Sequence, residues 1–130
     1  MQIDPRSHIP VYLQIVEAIR SAIAAGVYRS REMLPSLRAL ALEVKVNPNT
    51  VQRAYDELER EGLIYPQRGR GLFVTEEGRT LAQAQAQRSL RQRLEEILHL
   101  AAGAGIGVAQ IREIFEMAVD SFVKSEKPSP

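Results

Sequence analysis

Leu34-Pro35-Ser36-Leu37-Arg38-Ala39-Leu40-Ala41, followed after Leu42 to Lys45 by Val46-Asn47-Pro48-Asn49-Thr50-Val51-Gln52-Arg53-Ala54-Tyr55, sets two helices in close succession. Pro35 restricts the chain just before Ser36, and Ser36 is a good N-cap, so a short helix from about Leu37 to Val44 follows. It buries Leu37, Leu40 and Ala41. Lys45 and Val46 form a tight turn. Asn47 then caps a further helix, Pro48 takes its first position, and it continues to Glu61, closed by Gly62. Val51, Ala54, Tyr55 and Leu58 form its apolar side. Two helices joined by three to four residues have the spacing of a helix-turn-helix.

The flanking segments complete a domain. Upstream, Pro10 suits a helix start, and Val11, Ile15, Ile19 and Ile23, with Leu13 and Val16 beside them, make an apolar face that ends at Gly26. Val27 to Leu34 carries Arg29, Ser30 and Arg31 and reads as a connector. Downstream the period changes to that of strands. Leu63-Ile64-Tyr65 and Leu72-Phe73-Val74-Thr75 flank Pro66-Gln67-Arg68-Gly69-Arg70-Gly71, a turn with a charged tip, so a β-hairpin is expected. The fold class is therefore mainly α with a small β-hairpin: a winged helix-turn-helix, in which the third helix enters the major groove of DNA.

Beyond Thr75 the composition shifts to Ala, Gln and Arg. Leu90, Leu94, Ile97, Leu98 and Ala101 trace one stripe, which stops at Gly103-Ala104-Gly105-Ile106-Gly107; Ile111, Phe115, Ala118, Val119 and Phe122 trace another. Two such helices cannot enclose a deep pocket of their own, so their apolar faces call for the first domain or a second copy of the chain. The organisation expected is a DNA-binding domain over 1–75, a helical dimerisation region over 76–123 with Leu90, Leu94, Ile97, Ile111, Phe115 and Phe122 at the interface, and a flexible tail over 124–130.

The third helix carries the chemistry. With Val51 in the core and about 100° per residue, Gln52 lies at about 100°, Asp56 at 140°, Asn49 at 160°, Arg60 at 180° and Arg53 at 200°, all on the outward face. Asn and Gln can offer a paired donor and acceptor to adenine, and Arg can reach guanine or phosphate. Such a face on an isolated amphipathic helix is usually just solvated; the short helix before it and the wing after it favour groove reading. Arg68-Gly69-Arg70-Gly71 is the second signal, because glycines permit close approach to a phosphate while arginines supply charge. It is no nucleotide-binding loop, since a strand follows it and Lys-Ser or Lys-Thr is missing. Arg38, at the start of the second helix, is placed to meet phosphate. The rival reading is a protein-binding winged helix, favoured by the acids Asp56, Glu57, Glu59 and Glu61.

Composition narrows the classes further. The chain has 130 residues, 45% of them hydrophobic, and 17 Lys and Arg against 16 Asp and Glu leave a net charge of +1, so a basic footprint must come from placement. Without cysteine there is no disulfide framework, zinc-thiolate site or thiol nucleophile. His8 and His99 are far apart, Glu76-Glu77 and Glu95-Glu96 point to different helix faces, and no serine sits in a glycine elbow. No enzyme, metal or cofactor is expected. No stretch reaches the roughly 18 to 20 apolar residues of a membrane span, and no signal peptide is evident, so a cytoplasmic protein without a membrane partner is expected.

The two strings quoted first, with Glu57-Leu58-Glu59-Arg60-Glu61-Gly62-Leu63-Ile64 and Gly69-Arg70-Gly71-Leu72-Phe73-Val74 in that order, resemble the DNA-binding domain of GntR-family bacterial transcription regulators. The resemblance spans about Ile3 to Val74. Asn-Pro-Asn-Thr-Val with Arg-Ala-Tyr and a short helical tail is similar to the YtrA-like branch. It implies a homodimeric, usually repressing regulator of a palindromic double-stranded DNA operator, with contacts from Arg38, Asn47, Asn49, Thr50, Gln52, Arg68, Gly69 and Arg70. To these the outward face adds Arg53. Branch members often lie beside transporter genes, which implies a transport-linked regulon; the resemblance names no effector. Many relatives carry Arg at the positions of Pro48 and Gln52, Gly at Arg31, Glu at Ala39 and Thr at Leu72.

Overall fold

A computed structural model describes residues 1–126. Helices α1 (Val11–Ala24), α2 (Leu37–Val44) and α3 (Pro48–Arg60) precede strands β1 (Ile64–Gln67) and β2 (Gly71–Val74), which pair antiparallel, and helices α4 (Gly78–Gly103) and α5 (Val108–Glu126) follow. This is the mainly helical, hairpin-bearing architecture expected of a winged helix-turn-helix. The chain forms two compact units, one ending at Gln87 and the other beginning at Arg88.

In the first unit the apolar stripe of α1 (Ile15, Val16, Ile19 and Ile23) packs with Val51, Ala54, Tyr55 and Leu58 of α3, and Leu40, Ile64 and Val74 close the core. Full burial of each such aliphatic side chain contributes roughly 1.5–3 kcal/mol, so this core, rather than surface polar contacts, holds the domain together. Ser36 caps α2 by accepting from the Ala39 N–H at 3.1 Å, which needs no Glu at Ala39. Asn47 caps α3 by accepting from the Asn49 N–H at 2.8 Å, with Pro48 next in the first turn. Pro10 occupies the N-cap of α1 rather than its first turn.

Four further segments differ from the sequence reading. The connector Val27 to Leu34 lies along β2: Arg31 N–H donates to Val74 O at 2.8 Å, Val74 N–H to Glu32 O at 2.9 Å and Leu34 N–H to Leu72 O at 2.8 Å. It lacks strand alternation because one isolated bridge, Met33 to Phe73, suffices to dock it. Arg31 has φ 66°, a left-handed conformation that favours glycine over a residue with a Cβ. The hairpin strands extend inward through Pro66 and Gln67, which pair with Leu72 and Gly71, so only residues 68–70 form the turn. Pro66 fits there because β1 is an edge strand.

The third difference is the domain boundary, which falls after Gln87 rather than at 75/76. Gly78 and Ala82 of α4 are buried, and Gln83 Nε2 donates to the Ala24 carbonyl at 3.1 Å, so the first turns of α4 belong to the first unit. A Cβ at Gly78 would lie 3.0 Å from Val74 Cγ1 and 3.1 Å from Leu63 O, so a methyl group there would make its neighbours give by a few tenths of an ångström. Fourth, Lys124 to Glu126 continue α5 rather than starting a tail; 127–130 lie outside the described residues.

Tyr55 fastens α3 to the entrance of α2. Its ring is buried and its hydroxyl donates to the Pro35 carbonyl at 2.8 Å. Tyr55→Phe is expected to cost about 1–2 kcal/mol in urea unfolding, because it leaves that carbonyl without its partner. Burial pushes the Tyr55 hydroxyl above the ordinary phenol value of 10.0. As pH rises through that value the unfolded state ionises and the folded state does not, so stability is lost at alkaline pH; the raised Tyr28 adds in the same direction.

Candidate nucleic-acid interface

The face is built on three elements of the first unit. α2 presents Arg38 from its first turn, exposed; α3 and its N-cap present Asn47, Asn49, Gln52 and Arg53, also exposed; the hairpin tip presents Arg68, Gly69 and Arg70. Thr50 is half-buried at the edge of α3. The Asn47 cap sets where the outward positions of α3 begin. With Asn47 ending the turn, the first two outward positions of the helix are Asn49 and Gln52.

Several of these side chains are already held. Gln52 Nε2 donates to Asp56 Oδ1 at 2.8 Å, one helical turn on. The Arg53 guanidinium lies 3.8 Å above the centre of the Tyr12 ring on α1, so Arg53 is shared between the outward face and a cation–π contact. Arg70 donates to Gln67 Oε1 at 2.9 Å and lies 5.2 Å from the Phe73 ring centre, while the Asn47 carbonyl oxygen is spent on its cap. Gly69 has φ 77° and follows Arg68 in a turn closed by Arg70 N–H donating to Gln67 O at 2.9 Å. A glycine serves there because that backbone region penalises any Cβ.

The acids of α3, which favoured a protein partner, mostly have partners inside the molecule. Glu61 accepts from Arg20 of α1 at 2.9 Å through both carboxylate oxygens, Glu57 pairs with Arg60, and Asp56 holds Gln52. The Arg20–Glu61 pair, with side chains 20% and 25% exposed, pins the far end of α3 to α1. Sequence reasoning missed three supports of this face: Tyr12, Arg20 and Gln14. Gln14 folds the N-terminal arm back by donating to Asp4 O at 2.8 Å and Ile9 O at 2.9 Å while accepting from the Asp4 N–H. Only Arg20 and Glu61 carried a signal, as opposite charges in helices expected to pack.

In the second unit, α5 and the α4 residues from Arg88 onward flank an apolar groove of about 720 Å³. Leu94, Ile97, Ile111 and Phe115 line it; Leu90 and Phe122 are 59% and 62% exposed and do not. The groove is half-enclosed, walled by side chains of both helices and open on one side. Among the described residues no helix is long and apolar enough to cross a membrane.

Comparison with known proteins matches residues 11–74 to the family described as bacterial regulatory proteins, gntR family. The HTH-type transcriptional repressor YtrA of Bacillus subtilis is 37% identical over 121 residues, covering 92% of this chain and 93% of the relative. A GntR family transcriptional regulator from Listeria monocytogenes, 34% identical, superposes with a TM-score of 0.73 over 88% of this chain and 98% of its own. The DNA-binding domain of AraR in complex with operator ORX1 is 29% identical, with a TM-score of 0.54 over 58% of this chain and 95% of its own.

Proposed function

We propose, from the premise that this chain belongs to the GntR family of bacterial regulatory proteins, in its YtrA-like branch, that it is a homodimeric repressor of a palindromic operator. It is a DNA-binding regulator and not an enzyme. In this reading α3 enters the major groove, with Asn49 and Gln52 at base edges and Asn47, Thr50 and Arg53 at the groove wall. Arg38 meets phosphate, and Arg68, Gly69 and Arg70 approach the backbone or minor groove. The second copy covers the apolar groove, and the genes controlled encode a transporter.

The observation that carries the proposal is the capped start of α3, which aims two amides outward beside an exposed arginine of α2 and an arginine-tipped wing. Selection of bound sequences from a random DNA pool is expected to return two related half-sites about one helical turn, or a multiple, apart in inverted orientation. Failure to recover any motif overturns the reading. Arg38→Ala and Arg70→Ala are each expected to weaken binding to all sequences and to flatten the slope of log affinity against log salt by about one per subunit. An unchanged slope removes that arginine from the contact set.

A further inference from the structure

We propose that Asp56 is the positioning residue that makes Gln52 an adenine reader. The inference rests on the placement of α3 in the major groove and adds the chemical selectivity of one position. A side-chain amide reads bases ambiguously. Turned one way it offers a carbonyl oxygen and an N–H side by side, matching the N6 donor and N7 acceptor of adenine; turned another way its N–H groups meet the two acceptors of guanine, O6 and N7.

Asp56 breaks that ambiguity. A carboxylate only accepts, so the contact at 2.8 Å fixes which end of the Gln52 amide faces it: the nitrogen, through one of its two N–H bonds. The other N–H and Oε1 are left, and Oε1 has no partner among the described residues. The two residues are four apart on the outward face of one helix, both exposed, a spacing at which a Gln–Asp pair forms within the helix itself. Inside a groove, away from bulk water, a charge-assisted bond of this kind strengthens and turning the amide away becomes harder. Guanine would set its O6 acceptor against Oε1, and is rejected. Asp56 also places a negative charge near the phosphates, which lowers affinity for all DNA and makes the retained contact one of selectivity rather than strength.

The test uses the full-length protein and the site recovered by selection. Gln52→Ala marks the base pair that Gln52 reads, and all four base pairs are then compared there in competition at one salt concentration. Wild type is expected to prefer adenine. Asp56→Asn, nearly isosteric, can accept from or donate to Gln52, so the amide is freed to turn; the adenine-to-guanine ratio at that position is expected to fall about fivefold or more, with other positions unchanged. Asp56→Glu, which keeps the carboxylate, is expected to keep the preference. A uniform gain in affinity in Asp56→Asn, with base preference intact at every position, overturns the role of Asp56 alone. A wild type that recovers no motif overturns the groove reading and this inference together.

Discussion

Replacing Leu94 and Phe115 together with Glu is expected to turn the proposed dimer into a monomer at micromolar concentration, as read by sedimentation. Both side chains line the groove between α4 and α5, and Phe115 is 49% exposed in the single chain. Ile97, Leu98, Leu100, Met117 and Phe122 add exposed apolar surface to the same unit. Patches of this kind on a soluble protein mark an interaction site. A carboxylate placed there must be desolvated when a second copy docks, at several kcal/mol per ion, and two such charges in each copy of a two-fold interface exceed what the apolar area can offset. The consequence for DNA is larger still. A dimer binds its second half-site intramolecularly, so its loss is expected to lower operator affinity by about 10²–10⁴-fold while the DNA-binding unit stays folded. Helical signal should be retained. A double variant that remains dimeric places the interface elsewhere.

The combined substitution Asn49→Ala and Gln52→Ala is expected to abolish most discrimination between the operator and random DNA while leaving non-specific binding nearly intact. Each good amide–base pair is worth roughly 1–3 kcal/mol of discrimination. Two such residues in each of two half-sites are therefore expected to reduce the operator preference by about a hundredfold or more. Neither change disturbs the core, since both side chains are exposed and the Asn47 cap acts on the Asn49 backbone N–H, which alanine keeps. The competing role for Gln52 is phosphate contact. The two affinities, measured at one fixed salt concentration, separate these roles: equal losses on operator and random DNA would rule out base reading.

The helix-turn-helix was legible because its signals are local. Pro35-Ser36 and Asn47-Pro48 carry their own capping geometry, and the periods of α1 and α3 identify the buried faces without knowledge of what they pack against. The candidate DNA face was legible for the same reason: outward angle on α3 follows from residue spacing once Val51 is known to be core. Asp56 was equally visible, yet its charge suggested a protein partner. Its bond to Gln52 requires side-chain geometry that spacing permits without specifying.

By itself the sequence determined where α2 and α3 begin, which faces of α1 and α3 turn inward, and the family, since each depends on residues within a turn or two of one another. Only the tertiary structure decided what depends on partners distant in the chain. Arg31 to Leu34 is held by β2, some forty residues on, and so has strand contacts without a strand pattern. The boundary falls after Gln87 because Ala82 and Gln83 find Val74's unit and the Ala24 carbonyl, although nothing in Gly78 to Gln87 announces burial. Tyr12 beneath Arg53 and Arg20 against Glu61 belong to the same class. The physical reason is shared: caps and periodicity are set by short-range sterics and hydrogen bonding, whereas these contacts form only after the core has brought α1, α3 and β2 within reach.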